Sequence, residues 1–154
     1  MEIRREIAAT PEKSGGIYYA YPYSTDSLAP VPAGFEPVYI SHYGRHGSRW
    51  HTSAKLHDNT LKVLQKQYAA GNLTAEGEEV MKLVEICRDH TKGHIGELSA
   101  LGERQHKAIA TRMCERFPSL FKDGDVIVAR SSTEPRCIIS MAAFSEALKE
   151  YNPR

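Results

Sequence analysis

Five consecutive residues, Arg45-His46-Gly47-Ser48-Arg49, place two guanidinium groups and an imidazole within one short stretch of chain. A guanidinium is a planar fork of donors that grips two phosphate oxygens at once, and a glycine lets backbone amides come close to an anion. Together they make a phosphate cradle. An imidazole inside such a cradle can attack phosphorus through one ring nitrogen when a hydrogen bond at the other fixes the tautomer, and the product is phosphohistidine. The arginines then neutralise the oxygens of the transferring group as the bond to the leaving oxygen breaks. A bare Arg-His-Gly tripeptide also fits a solvated basic loop, so the surrounding elements carry the distinction.

Those elements read as follows. Val38-Tyr39-Ile40-Ser41 is a short β-prone run stopped by Gly44 and Gly47, a strand feeding a glycine loop. From Ala54, residues Leu56, Thr60, Val63, Leu64 and Tyr68 recur at helical spacing up to Gly71-Asn72, which predicts a helix closed by a glycine. Thr74 predicts the cap of a second helix with Val80, Leu83, Val84 and Cys87 inward, ending near Gly93. Ser99 predicts the cap of a third, with Leu101, Ala108, Ile109 and Met113 inward, ending before Pro118. Asp125-Val126-Ile127-Val128-Ala129-Arg130 reads as a buried strand, and a fourth helix opens at Glu134-Pro135 with Ile138, Met141, Ala142, Ser145 and Leu148 inward. Alternating strands and helices predict an α/β layered fold with a mainly parallel sheet and the site beyond the strand ends. Two strands cannot make such a sheet, and the chain stops directly after a helix, so more chain is expected.

Residues 1–35 carry Gly15-Gly16, Tyr18, Tyr19, Tyr21, Tyr23 and four prolines or glycines from Pro22 to Gly34, too much punctuation for regular structure. This arm is read as covering the domain's own surface; a sugar- or base-stacking face is the alternative. The three cysteines, Cys87, Cys114 and Cys137, show neither metal spacing nor disulfide density and read as core thiols. Lys and Arg number 20 against 19 Asp and Glu, which argues against a general nucleic-acid binder and leaves phosphate attraction to placed residues. No apolar run reaches membrane-spanning length, and the first residues lack the apolar stretch of a signal peptide.

Three segments in order resemble the histidine phosphatase superfamily, most closely its acid-phosphatase and phytase branch. They are Arg45-His46-Gly47-Ser48-Arg49, then Leu98-Ser99-Ala100-Leu101-Gly102-Glu103-Arg104-Gln105, then the run from Val126 through Arg130-Ser131-Ser132-Thr133-Glu134-Pro135-Arg136. The resemblance spans about residues 36 to 148. It implies a layered helix-sheet-helix phosphatase domain over 36–154, of which this chain is the N-terminal part, preceded by the 1–35 arm. Position by position it makes His46 the nucleophile and Arg45, Arg49 and Arg136 the phosphate-binding arginines, with Arg130 a lesser candidate for the third. It implies no cofactor and no metal; in the same direction, the arginines beside His42, His46 and His51 repel a cation. The implied substrate is a phosphorylated small molecule, inositol polyphosphates foremost, and the implied location of the whole protein is periplasmic or secreted. Two departures stand out. His51 replaces the branch's usual proline, and no histidine follows His106, so the C-terminal His-Asp or His-x-Glu proton donor of the family is absent from these residues.

Overall fold

The computed structural model describes residues 2–21, 29–122 and 124–153. Four helices lie where the periodicity puts them, α2 Lys55–Ala69, α3 Ala75–Thr91, α4 Ala100–Arg116 and α5 Pro135–Leu148, and a further one, α1 Glu2–Ala9, lies in the arm where none was expected. Their ends follow from local chemistry. Gly71 takes the left-handed conformation, φ 70°, just past α2, and its amide donates back to the Tyr68 carbonyl at 2.9 Å. The Thr74 hydroxyl accepts from the Gly77 amide and the Ser99 hydroxyl from the Gly102 amide, both at 3.2 Å, which caps α3 and α4 for about 1 kcal/mol each. Pro135 opens α5, where a missing amide proton costs nothing.

Packing is pairwise: α2 lies on α3, and α4 lies on α5. The buried cluster belongs to the second pair, with Ala110 and Cys114 of α4 and Ala147 and Leu148 of α5 meeting Phe121. Small side chains on both helices let their backbones approach, and Ile40, Met113, Phe117, Phe144 and Tyr151 close the rim. The first pair buries less. Leu61 is buried, but Leu56, Val63, Tyr68, Val80 and Leu83, which periodicity places inward, are exposed, as is Cys87.

Two further expectations need correction. Among the described residues there is no strand and no sheet, so the α/β helix-sheet-helix fold is not what the chain adopts. The two β-prone runs, 38–41 and 125–130, form no ladder among the described residues; Val38, Tyr39, Val126 and Val128 are at least 71% exposed. Strand preference is a preference for a paired, half-buried surface, and an extended segment without a ladder neighbour has neither. The accessible surface, 11896 Å², exceeds the about 7800 Å² expected of a compact 154-residue monomer, in keeping with this apolar surface left uncovered. The arm is also more regular than its punctuation suggests, with α1 followed by 3₁₀ turns over Pro11–Tyr18, tied by an ion pair between Lys13 and Glu6.

The cysteines divide by this packing. Burial pushes the Cys114 thiol up to about 11, so it carries almost no thiolate at neutral pH. Iodoacetamide should modify Cys87 in the folded protein within minutes and leave Cys114 unmodified until denaturant is added. Native-state labelling of Cys114 at the rate of Cys87 contradicts a closed α4–α5 core.

Candidate functional site

The loop after residue 44 is held on the start of α4 by a short antiparallel zipper. The Trp50 amide donates to the Glu97 carbonyl, the Gly96 amide to the His51 carbonyl and the Ser99 amide to the Ser48 carbonyl, each at 2.9 Å. An isolated bridge pairs Arg49 with Leu98 at the centre of this zipper. Side chains of α4 and α5 then take up the loop's remaining polar groups. Gln105 Oε1 accepts from the Ser48 amide at 2.8 Å, Ser140 Oγ from the Gly47 amide at 3.1 Å, and Ser99 Oγ donates to the Ser48 carbonyl at 2.8 Å. His106 Nε2 donates to the Arg45 carbonyl at 3.0 Å.

Backbone meets backbone where Gly47 crosses Gly102. A Cβ built on Gly47 would lie 2.5 Å from Gly102 Cα, and one on Gly102 would lie 2.8 Å from the Ser48 nitrogen and closer still to the Ser48 carbonyl oxygen. Neither glycine is there for a left-handed φ; each is there because no side chain fits.

Arg45, His46 and Arg49 line one cavity of about 840 Å³. His46 Nδ1 donates to the Gly47 carbonyl at 2.8 Å, which places the ring proton on Nδ1 and leaves Nε2 with a free lone pair. Among the described residues no Asp, Glu or Lys lines this cavity; the charged or chargeable groups are the two arginines and His42, His46, His51 and His106. Arg49 Nη1 donates to the Trp50 carbonyl at 2.9 Å, while its Nε is buried without an acceptor among the described residues.

Arg136 stands apart from this group. It sits in the first turn of α5, pairs with Glu134 at 2.7 Å and approaches Gly96 beside the zipper, outside the lining of the cavity. Its Nε is likewise buried and without an acceptor among the described residues. Arg130 is exposed in the segment before α5. The residues that hold the loop, Gly102, Gln105, His106 and Ser140, escaped the sequence reading. Gly102 and Gln105 lay in a segment recognised only as a helix opening; Ser140 carries no sequence signal, because its partner is 93 residues away.

Burial lowers the His106 pKa below the usual histidine value, and any charge on His42 and His46 pushes it the same way; the bond to the Arg45 carbonyl opposes them. His51 is lowered too, by burial and then by His57 and Arg49. A folded-state pKa below the unfolded one means that acid protonates the unfolded chain first. The stability contributed by neutral His106 is therefore present above about pH 6.5 and is lost as pH falls through the folded value. Urea midpoints should decline as pH falls below about 6.5 in the wild type, and less so in His106→Gln, whose side-chain amide can still donate to Arg45; an identical decline in both removes His106 as the cause.

A histidine and two arginines thus lie on one glycine loop docked against the start of a helix. The sequence matches the family described as histidine phosphatase superfamily (branch 2) over residues 44–153, and the chain belongs to that superfamily. Membership carries phosphatase or phosphoryl-transfer chemistry generally, and a phosphorylated small molecule fits it as substrate. A search of curated proteins gave no match. No helix among the described residues is long and apolar enough to cross a membrane.

Proposed function

We propose that the chain hydrolyses phosphate monoesters in the manner of the acid phosphatases and phytases, through a phosphohistidine on His46. The observation that carries this reading is the 2.8 Å bond from His46 Nδ1 to the Gly47 carbonyl, which fixes the tautomer and leaves Nε2 nucleophilic in a cavity shared with Arg45 and Arg49. In the first step the Nε2 lone pair forms the N–P bond as the P–O bond to the alcohol breaks, with that electron pair leaving on the alkoxide oxygen. In the second, water attacks phosphorus and the N–P bonding pair returns to Nε2. Arg45 and Arg49 hold the equatorial oxygens through both steps, and Arg136, in the first turn of α5, is the third arginine of the proposal.

Inositol polyphosphates are the proposed substrate class. The resemblance to the phytase branch supports it, together with a cavity wall of two arginines and four histidines and, among the described residues, no carboxylate. Export to the periplasm or cell exterior belongs to the same proposal and rests on the resemblance alone. The test is phosphate release from p-nitrophenyl phosphate and from inositol hexakisphosphate at pH 5, with an alkaline quench of labelled enzyme to trap phosphohistidine. Labelled His46 with free phosphate as product supports hydrolysis; transfer of label to a second hydroxyl compound supports a mutase.

A second reading has its own observation. Because no carboxylic acid among the described residues lines the cavity, no side-chain acid of the usual kind stands ready to protonate a departing alkoxide. Phosphate binding without turnover follows if alkyl phosphates bind and are not cleaved. Alkyl phosphates therefore separate the two readings, since a phenolate of low pKa leaves without a proton whether or not an acid is present.

A further inference from the structure

The cavity has a second wall that phosphate chemistry does not use. Ile17, Tyr18, Tyr19 and Tyr21 of the arm line it together with Arg45, His46 and Arg49. Their side chains keep much of their surface open: Ile17 and Tyr18 are each 68% exposed, and Tyr21 is 58% exposed. The arm is nonetheless fastened to the phosphate loop. Gln105 accepts from the Ser48 amide through Oε1 and donates to the Tyr21 carbonyl through Nε2 at 3.5 Å, so one side chain spans both walls. The Tyr18 ring packs against His51, two residues past Arg49, with centroids 5.6 Å apart.

A cavity of about 840 Å³ is the size that encloses a whole small molecule, and a phosphate group occupies only a corner of it. What lies beyond the phosphate faces aromatic rings and an isoleucine. Tyrosine offers a flat apolar face with a hydroxyl at its edge, a surface suited to the face of another ring.

We propose that Tyr18 and Tyr19 form a ring-binding subsite, so that the substrate is a phosphomonoester carrying a six-membered ring next to its phosphate, with the phosphate in the 45–49 loop and the ring face on the arm. The subsite rests on the phosphate-binding reading of that loop. It needs no catalysis to be seen, so it can be read by binding alone.

The test is calorimetric titration of the whole chain with inorganic phosphate, methylphosphonate, cyclohexylphosphonate and phenylphosphonate. At least one ring phosphonate should bind about tenfold more tightly than methylphosphonate, the gain expected of one or two ring contacts. Tyr18→Ala should bring that ratio toward one, Tyr18→Phe should keep it, and Tyr19→Ala should lower it. Preference for the cyclohexyl probe assigns the subsite to a saturated carbocycle or sugar ring, and preference for the phenyl probe to an aromatic one. If phosphate binds and the ring-to-methyl ratio is one, or the ratio survives both alanine variants, the subsite is wrong and the phosphate loop stands. If inorganic phosphate does not bind at all, the loop reading fails and the subsite falls with it.

Discussion

His46→Asn should lower kcat/KM for an aryl phosphate by a factor on the order of 10⁴ or more, the scale seen when a nucleophile is removed, with the far-ultraviolet circular dichroism unchanged. The choice of asparagine matters. Its side-chain amide can donate to the Gly47 carbonyl as His46 Nδ1 does at 2.8 Å, so the loop keeps its internal bond while the nucleophilic nitrogen is gone. Binding of inorganic phosphate should persist within about tenfold, because Arg45 and Arg49 remain. Arg49→Lys makes the complementary change: it keeps the charge and loses the planar fork, and turnover should drop about 10²-fold with the phosphohistidine still trapped on alkaline quench. If His46→Asn keeps more than a tenth of wild-type turnover, the nucleophile lies elsewhere in the cavity wall. His106 is the poorer replacement, since its Nε2 is already committed to the Arg45 carbonyl.

The helical part of this fold was readable because its signals are local. Thr74, Ser99, Pro135 and Gly71 each act on backbone groups within a few residues of themselves, and each stands at the helix end it predicts. The strands were not readable in the same way. Val126 to Val128 has every local preference for extended structure and forms no strand among the described residues, because pairing is a property of a neighbour that no local sequence encodes. Helix faces failed for a related reason. Periodicity locates an apolar stripe on α2 and α3, but the stripe is buried only where another layer covers it, and Leu56, Val63 and Leu83 stay exposed.

The site divides along the same line. Arg45, His46 and Arg49 lie within five residues, so their meeting in one cavity was implied by their spacing. Arg136 was assigned through a motif some 90 residues downstream, and it lies beside Gly96 rather than in the cavity wall. The groups that hold the loop in shape, Gln105, His106 and Ser140, reach it across 57, 61 and 93 residues. Contacts of that separation are set by how α4 and α5 pack, and packing is where single-sequence reasoning has least purchase.

Gly102→Ala is the substitution expected to damage the site most without touching a chemical group. The added methyl would sit 2.8 Å from the Ser48 nitrogen and 2.8 Å from the Leu98 side chain, besides its clash with the Ser48 carbonyl. A side chain could rotate away, but Ser48 is pinned on both sides, by Gln105 at its amide and by Ser99 at its carbonyl. Helix propensity works in the opposite direction, since alanine inside α4 stabilises a helix by about 1 kcal/mol relative to glycine. Steric overlap with fixed backbone costs about 1–3 kcal/mol or more, so the clash wins and the loop must lift from the helix. Lifting carries Arg49 and His46 with it, and a displacement on the order of 1 Å at reacting atoms costs about 10²-fold in rate. Gly102→Ala should therefore lose turnover about 10²-fold or more and phosphate affinity with it, while Gly77→Ala, near the start of α3, should do neither. The control is apt because the Gly77 methyl would meet only the Leu73 and Thr74 side chains, at 3.4 Å or beyond. Equal activity in the two variants would mean that the loop tolerates separation from α4, and that the Gly47–Gly102 contact does not set the geometry of the cradle.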